Sequence, residues 1–339
     1  MIIDTKSHYI IAEIGHNHQG NIDKAFELFK MAKDCGANAV KLQKRDNKSL
    51  YTKSFYNSKY DNRNSYGESY GLHRDFLEFG KSEYLELKAF AKEIEIDFFA
   101  TPFDFKSVEF LSGIDMQAFK IASADLTNTP LQIEIAKQNK KIFLSTGGGN
   151  IDDVKRARDN ICKYTNDLII MHCTASYPPN ISEMNLNVIE TYKKEFPKHI
   201  IGLSDHENGI DAGPIAYLLG ARVFEKHVTL NRALKGTDHA FSLEPSGLKK
   251  FVRNLSRIPI MLGSHEKKLL ETEKEPIFKM SKSIVASKNL RQGEILTLEN
   301  IAFKSPGGGL PPYRVNELLN KKLNKDLLED DLIYLDSLM

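Results

Sequence analysis

The chain has 339 residues, more than one hydrophobic core usually organises, which favours two domains. Its 47 lysine and arginine residues nearly balance 45 aspartate and glutamate residues, and a net charge of +2 argues against a general nucleic-acid binder. The three cysteines form no close pair or CxxC motif, and we find neither a signal-peptide core nor an apolar run long enough to span a membrane. We therefore expect a cytoplasmic protein without membrane partners.

From residue 8 to about 260, short β-branched and aromatic runs alternate with amphipathic helical patterns. The eight predicted strands cover residues 9–14, 39–43, 98–101, 118–122, 141–145, 168–172, 200–204 and 222–226. The clearest helical patterns between them cover 23–35, 82–94 and 184–196. This alternation predicts a (β/α)8 TIM barrel. A doubly wound open sheet is the alternative, but no GxGxxG motif follows the first strand to favour it.

Two segments do not follow this alternation of strands and helices. Residues 44–80, after the second strand, are long, polar and rich in tyrosine, which is unusual for a loop without a function. On a barrel, this loop would leave from the active-site face. A lid or a dimer contact is therefore at least as well supported as a surface loop that only extends into solvent. After residue 263 the pattern changes. We expect a catalytic barrel over 1–263, a charged linker over 264–280 and a small β-rich domain over 281–339.

Polar residues gather where the predicted strands end, which is the edge of a barrel that carries chemistry. His206 and His227 lie 21 positions apart, about one βα unit, and so at the ends of neighbouring strands, where neutral imidazoles are potential metal ligands. Two lysines with several hydroxyl groups predict a pocket for a compact dianion such as a phosphate. The residues alone thus predict a metal-assisted reaction between a phosphorylated acid and an oxygen-rich partner.

The strand-end residues lie in motifs that occur in order along nearly the whole chain. They are AEIG at 12–15 with NH at 17–18, VKLQ at 40–43, TPF at 101–103, FKIAS at 119–123, LSTG at 144–147, HCT at 172–174 with YP at 177–178, GLSDH at 202–206 and EKH at 225–227. This set resembles the sialic acid synthases, which condense phosphoenolpyruvate with N-acetylmannosamine or a related sugar and release phosphate by C–O cleavage. The motif KSPG at 304–307 is similar to the signature of that family's antifreeze-like (SAF) terminal domain.

The resemblance implies a role for each residue of the site. The catalytic residues would be Glu13, His206 and His227, with Glu13 as the candidate base and the two histidines as ligands of Mn²⁺ or Mg²⁺. Phosphoenolpyruvate would be held by Lys41, Thr101, Lys120, Ser123, Ser145 and Ser204. The sugar would contact Glu13, Gln43, Asp125, Tyr177 and Asp238, and Glu225 would support the metal site. The implied assembly is a domain-swapped homodimer that uses these two small substrates as partners.

Three positions differ from the pattern of the family it resembles. His16 replaces an aliphatic residue, and Ala175 replaces an asparagine or serine. Ser305 replaces an arginine that would reach the partner's sugar site, where Arg314 is a candidate substitute. These departures suggest a modified acceptor, such as a diacetamido-trideoxy hexose leading to a legionaminic- or pseudaminic-type acid, as the alternative, while N-acetylneuraminate synthesis remains the first expectation.

Other classes of protein stay open on the sequence. His16 and His18 imitate the HxH pair of metal-dependent amidohydrolases, with Lys120, His206 and His227 as further ligands. Lys41 or Lys120 could instead form a Schiff base, as in metal-independent aldolases. The small C-terminal domain would also suit an ice- or carbohydrate-binding protein, although such a protein needs no ring of polar strand-end residues.

Overall fold

The eight predicted apolar segments form a closed barrel of parallel strands in the computed structural model, which describes residues 7–339. Each strand pairs with the next one in the chain, and the eighth pairs with the first. The strands are β1 (Tyr9–Gly15), β2 (Ala39–Lys44), β3 (Asp97–Pro102), β4 (Ala118–Ile121), β5 (Lys141–Ser145), β6 (Leu168–Cys173), β7 (Ile200–Asp205) and β8 (Val223–His227). The predicted TIM barrel is confirmed.

Helices alternate with these strands along the chain. They are α1 (Ile22–Asp34), α2 (Asn47–Leu50), α3 (Lys53–Tyr56), α4 (Tyr70–Phe76), α5 (Lys81–Glu93), α6 (Phe105–Gly113), α7 (Thr129–Ala136), α8 (Ile151–Ile161), α9 (Val188–Glu195), α10 (Ala212–Leu219) and α11 (Pro245–Leu262). Several begin at a side chain that accepts a hydrogen bond from the first turn, as Asn21 does for α1 and Asp104 for α6. Within residues 7–339, no helix combines the length and hydropathy that crossing a membrane would require.

The helical prediction for 184–196 was too long. Helix α9 begins only at Val188, after a 3-10 turn over Ile181–Glu183. Asn185 has φ of +44°, a left-handed conformation that an α-helix does not contain. The predictions for 23–35 and 82–94 agree with α1 and α5 to within one residue at each end.

Aromatic rings fill the barrel interior beneath the strand ends. Phe99 of β3 and Phe143 of β5 are fully buried and stack with ring centroids 4.8 Å apart. Tyr9 of β1 stacks on Phe143 at 6.5 Å. Because side chains alternate along a strand, Thr101 and Ser145, two positions further on, lie on the same face as these rings and nearer the carboxyl edge. The aromatic layer thus closes the barrel below the polar residues.

A second compact unit begins at Ser264. It contains α12 (Lys274–Met280) and an antiparallel pair, β9 (Ser283–Ala286) and β10 (Ile301–Lys304). Isolated bridges and 3-10 turns make up much of the rest, around a core that includes Ile284 and Leu323. The predicted small β unit after the barrel is confirmed, with fewer regular strands than its alternating sequence suggests. The linker limits of 264–280 stay a prediction.

Candidate active site

The carboxyl ends of the barrel strands surround a cavity of about 570 Å³. Of the fourteen residues given a site role from the sequence, all of which the structure describes, thirteen line it. They are Glu13, Lys41, Gln43, Thr101, Lys120, Ser123, Ser145, Tyr177, Ser204, His206, Glu225, His227 and Asp238. Residues that are far apart in the chain therefore meet at one end of the barrel, as parallel strands require.

Two lysines and two glutamates form a buried cluster, which we call the charged floor: Glu13, Lys41, Lys120 and Glu225. Lys41 Nζ lies 2.7 Å from Glu13 Oε2, and Lys120 Nζ lies 2.7 Å from both oxygens of Glu225. Lys41 also donates to Thr101 Oγ1 at 2.9 Å and lies 3.7 Å from Glu225. All four residues are less than 5% exposed, so each charge depends on the others for compensation.

The charged floor keeps Glu225 ionised. Burial by itself raises the pKa of this carboxyl, but Lys120 and Lys41 outweigh that effect and lower the pKa to about 2. Burial lowers the pKa of Lys120, and the contact with Glu225 opposes that shift. A lysine bonded to both oxygens of a carboxylate is poorly placed to act as a neutral amine nucleophile, so the geometry does not favour the Schiff-base alternative.

Hydroxyl groups and one close backbone turn lie beside the floor. Ser145 Oγ is buried and has no hydrogen-bond partner among the described residues, although its neighbours are well bonded. Ser123 Oγ accepts the main-chain N–H of Gly147 at 3.0 Å. A Cβ at Gly147 would lie 2.9 Å from both Ser123 Oγ and Ala175 Cβ, so only glycine fits this approach. An orphaned hydroxyl facing buried lysines is the arrangement expected of an anion pocket.

His206 and His227 lie side by side with ring centroids 5.4 Å apart. His206 Nδ1 is 3.1 Å from the carbonyl of Thr174, which can only accept, so Nδ1 carries the proton and Nε2 keeps a lone pair. Burial and the neighbouring His227 lower the pKa of His206 to about 3 and keep the ring neutral. Nδ1 of His227 is buried without a hydrogen-bond partner in the described chain and lies 3.8 Å from Asp238 Oδ2.

These two imidazoles fit a divalent metal ion that keeps most of its coordination positions open. Nitrogen lone pairs suit such ions, and the carbonyl of Thr174 orients one ring as supporting groups do in metal sites. Within residues 7–339, no cluster of three or more histidine, cysteine, aspartate or glutamate side chains is arranged to enclose a metal. Water or a substrate would fill the remaining coordination positions of such an ion.

Asp125 is the predicted site residue that does not line the cavity. It ends a 3-10 turn over Ser123–Asp125, and its carboxylate accepts the side-chain N–H of Asn128 at 2.9 Å. Its main-chain carbonyl is bonded by Gln132. The carboxylate is thus engaged within its own turn, a local hydrogen bond that its position after a predicted strand did not reveal.

Residues 44–80 line the cavity with three side chains that were not predicted as site residues, namely Arg45, Asn64 and Arg74. The segment also contacts the loop after β8, since Tyr66 Oη donates to the carbonyl of Lys235 at 2.5 Å and Gly236 N donates to Asn64 at 3.2 Å. It is therefore a structured cover of the site. Arg45 continues the alternation of Lys41 and Gln43, a signal present in the sequence.

The HxH pair does not contribute to the cavity lining. His18 stacks on Phe79 with ring centroids 4.1 Å apart, and its Nδ1 accepts the main-chain N–H of Gly20. His16 lies between the guanidinium groups of Arg45 and Arg74. Neither ring is available beside His206 and His227, so the geometry gives no support to the amidohydrolase alternative.

Known proteins match this chain over nearly its whole length. Residues 28–267 match the NeuB family, and residues 281–339 match the SAF domain. The chain is 37% identical to N-acetylneuraminate-9-phosphate synthase of Homo sapiens, over 96% of this chain and 91% of the relative. It is 36% identical to N,N'-diacetyllegionaminic acid synthase of Campylobacter jejuni, over 97% and 99%. A crystal structure of N-acetylneuraminic acid (sialic acid) synthetase from Leptospira borgpetersenii, in complex with citrate, superposes with a TM-score of 0.70 at 33% identity, covering 82% of this chain and 93% of that one.

Proposed function

The chain belongs to the NeuB family, and from that premise we propose that it is a transferase that condenses phosphoenolpyruvate with the open-chain aldehyde of an acetamido sugar. Relatives named as N-acetylneuraminate-9-phosphate and N,N'-diacetyllegionaminic acid synthases support the reaction class. The observation that carries the proposal is the charged floor with the unpartnered Ser145 hydroxyl, in one cavity with His206 and His227.

Phosphoenolpyruvate binds over the charged floor. Lys41 and Lys120 supply positive charge to its phosphate and carboxylate, and hydroxyl groups supply directed hydrogen bonds. The residues proposed to hold it are Lys41, Thr101, Lys120, Ser123, Ser145 and Ser204. These groups are fixed before the substrate arrives, and one well-placed donor of this kind contributes about 3–4 kcal/mol to transition-state stabilisation in other enzymes.

The acceptor sugar lies on the side of His206 and His227, against Gln43, Tyr177 and Asp238. The two histidines would hold Mn²⁺ or Mg²⁺, which supplies Lewis acidity toward the sugar aldehyde when bound. The Tyr177 ring lies 4.3 Å from that of His206 and forms a wall of the sugar site. Because Asp125 is engaged in its own turn, we leave it out of the proposed sugar contacts.

We propose Glu13 as the base. Its carboxylate is held by Lys41 at 2.7 Å and by Gln43 Nε2 at 2.8 Å. In the reaction, carbon 3 of phosphoenolpyruvate forms a bond to the aldehyde carbon, and water adds to carbon 2. Glu13 accepts one proton from that water, which balances the proton that the aldehyde oxygen gains as it becomes a hydroxyl. The bond between carbon 2 and the phosphate oxygen then breaks, carbon 2 becomes a ketone, and the proton of its hydroxyl leaves with inorganic phosphate.

Phosphate release tests the reaction. Purified protein is supplied with phosphoenolpyruvate, Mn²⁺ and a panel of 2-acetamido sugars, and inorganic phosphate is measured together with the sugar acid formed. We expect equal amounts of both products with at least one sugar. Glu13→Gln should reduce turnover and change its pH dependence, and near-normal turnover in that variant would contradict the role of base. No phosphate with any sugar would overturn the proposed function.

Metal removal separates the synthase from its alternatives. A chelator should abolish turnover, and borohydride with pyruvate should trap no adduct on Lys41 or Lys120. His227→Asn should abolish Mn²⁺ binding measured by calorimetry, whereas His18→Asn, which changes a buried histidine outside the cavity, should retain it. Metal binding lost in the His18 variant would instead support a hydrolase.

We further propose a homodimer in the cytoplasm. Ile260, Met261 and Leu262 at the end of α11 are each at least 60% exposed, an apolar surface that a monomer rarely leaves uncovered. The three cysteines are free thiols, which supports a reducing compartment. Light scattering of the full chain should give the mass of two chains, and a monomer mass would contradict the assembly.

A further inference from the structure

Two arginines line the same cavity as the charged floor, and we call Arg45 and Arg74 the arginine rim. Arg45 follows β2 and is only 8% exposed, while Arg74 is in α4 and half-buried. A guanidinium stays charged at every pH relevant to a protein. The rim therefore brings two permanent positive charges to the edge of the proposed sugar site.

Neutral groups hold both arginines in place. Arg45 donates from Nη2 to Gln43 Oε1 at 2.7 Å, and its guanidinium lies over the Phe103 ring at 3.8 Å. Arg74 donates to Tyr70 Oη from Nη2 at 3.0 Å. These contacts orient the guanidinium groups but do not compensate their charge.

No carboxylate in the described part of the chain lies within 4.0 Å of either guanidinium. The nearest candidate for Arg45 is Glu78, which is paired with Lys44 at 2.9 Å and takes the main-chain N–H of Arg45. Burial, followed by the charge of Arg74, lowers the pKa of Arg45. Glu78 and Asp238 act on the rim only at longer range, where Glu78 opposes the lowering of the pKa of Arg45 and Asp238 helps to raise the pKa of Arg74. Because a buried charge is most stable with a carboxylate in direct contact, the rim offers two guanidinium groups that an anionic ligand can pair with.

His16 joins the two arginines. Its Nε2 lies 3.3 Å from Arg45 Nη1 and its Nδ1 lies 3.2 Å from Arg74 Nη1. Burial, with the two neighbouring guanidinium groups, lowers the pKa of His16 well below its ordinary value, so the ring is neutral. A neutral imidazole carries a proton on one nitrogen and accepts at the other, so His16 accepts a hydrogen bond from one of the two arginines, which an aliphatic side chain at this position could not do. His16 is therefore a positioning residue for the rim.

We infer that the arginine rim binds a phosphate ester on the acceptor sugar, carried by the primary hydroxyl at the end of the chain opposite the aldehyde. The inference rests on the proposed function and names its substrate class. Gln43 bonds Glu13 at 2.8 Å on one side and Arg45 at 2.7 Å on the other. A sugar whose aldehyde lies at Glu13 and the histidines therefore extends past Gln43 toward the rim. Two forked guanidinium groups match the geometry of a phosphate dianion.

The phosphate of phosphoenolpyruvate has its own site. Lys41 precedes Gln43 by two positions along β2 and Arg45 follows it by two, so the lysine of the charged floor and the arginine of the rim lie on opposite sides of Gln43 along this strand. The inference also excludes one acceptor considered from the sequence, because a diacetamido-trideoxy hexose has no hydroxyl at carbon 6 and cannot carry the ester. The acceptor consistent with the rim is the 6-phosphate of N-acetylmannosamine or of a close analogue.

Steady-state kinetics test the inference. With phosphoenolpyruvate and Mn²⁺ present, kcat/KM is measured for N-acetylmannosamine, its 6-phosphate and the diacetamido-trideoxy sugar. We expect the 6-phosphate to be preferred by about 100-fold, the size of a few hydrogen bonds to a charged group. Arg74→Met should lose most of that preference. Arg63→Met, which removes an exposed guanidinium from the same segment outside the cavity, should keep it.

The His16 variants separate positioning from folding. His16→Leu should raise KM for the 6-phosphate with little change in kcat, and His16→Gln, which retains an acceptor, should restore part of the loss. Variants that lower kcat equally for every sugar would show a structural role only and would overturn the assignment of His16.

The outcomes distinguish this inference from the proposed function. Turnover with equal kcat/KM for the phosphorylated and free sugars, or a preference for the trideoxy sugar, overturns the rim assignment and leaves the synthase standing. If no sugar is turned over, the proposed function fails, and binding decides the inference. N-acetylmannosamine 6-phosphate should then raise the thermal unfolding midpoint of the wild type but not of Arg74→Met, and the absence of any shift would overturn it.

Discussion

The charged floor and the arginine rim each contain two positively charged side chains, but the two regions differ in whether a carboxylate lies in direct contact with them. On the floor, each lysine lies 2.7 Å from a buried carboxylate. On the rim, both guanidinium groups contact only neutral side chains. The lysines of the floor are thus paired directly with carboxylates of the chain, whereas the guanidinium groups of the rim have no carboxylate in direct contact among the described residues and are available to an anionic ligand. Changes in the two places should have different consequences for stability.

The largest effect is expected where the floor loses a carboxylate. Glu225→Gln leaves Lys120 and part of the charge of Lys41 without compensation inside the barrel. Removing one member of a buried pair costs about 3–5 kcal/mol, so the free energy of unfolding should fall by that amount. Urea denaturation measures it.

Glu275→Gln is the matched control, because Glu275 pairs with Lys279 on an exposed face of α12 and its loss should change stability little. Equal, small effects of the two substitutions would show that the floor pairs do not stabilise the fold and would remove the contrast with the rim.

A smaller effect is expected at the floor's unpartnered hydroxyl. Ser145→Ala removes no hydrogen bond of the ligand-free protein, so its stability should be nearly unchanged. Hydrogen bonds to charged groups contribute about 1.5–3 kcal/mol, which predicts a fall of about 10- to 100-fold in kcat/KM for phosphoenolpyruvate.

Thr146→Val is the neighbouring control. Thr146 donates to the carbonyl of Met171 and accepts from Tyr192, both inside the fold. It should lose about 1 kcal/mol of stability and leave KM for phosphoenolpyruvate unchanged. If Ser145→Ala instead lost stability and kept its kinetics, the hydroxyl would be structural.

The sequence predicted the floor far better than the rim. Lys41, Lys120 and Ser145 occupy regular strand ends, and the topology of a parallel barrel by itself brings such positions together. Arg45 was missed although it continues the alternation of β2. Arg74 could not be assigned, because its place depends on how residues 44–80 fold back over the barrel. Asp125 is the opposite case, because it was predicted as a site residue but does not line the cavity. A hydrogen bond from Asn128 within its own turn holds its carboxylate.

The rim should tolerate loss of charge in the ligand-free protein. Arg45→Met keeps the aliphatic packing and removes a buried charge without a carboxylate partner. We expect its free energy of unfolding to change by less than about 1 kcal/mol, in contrast with the floor variant. The same urea measurement tests this. A loss as large as that of Glu225→Gln would mean that the guanidinium is held by the fold itself and would weaken the case for a ligand counter-charge.

The smallest effect concerns the cover that carries the rim. His73 in α4 is buried between the rings of Tyr60 and Tyr66, and its Nδ1 accepts the main-chain N–H of Tyr66 at 3.1 Å. Burial, followed by the charges of Arg74 and Lys235, lowers its pKa from 6.5 to about 4. Protonation at Nδ1 would break the bond to Tyr66.

Between pH 6.5 and about 4, the unfolded cover therefore binds more protons than the folded one, and its stability falls as the pH is lowered through that range and is constant above it. Amide hydrogen exchange, corrected for intrinsic rates, should show faster opening of peptides from residues 47–76 at about pH 5 than at about pH 7.5, with peptides from α7 unchanged. His73→Phe, which retains the aromatic packing but cannot be protonated, should remove the difference. Faster exchange at acid pH in that variant as well would assign the effect to another group. It would also show that His73 does not stabilise the segment that carries Arg74.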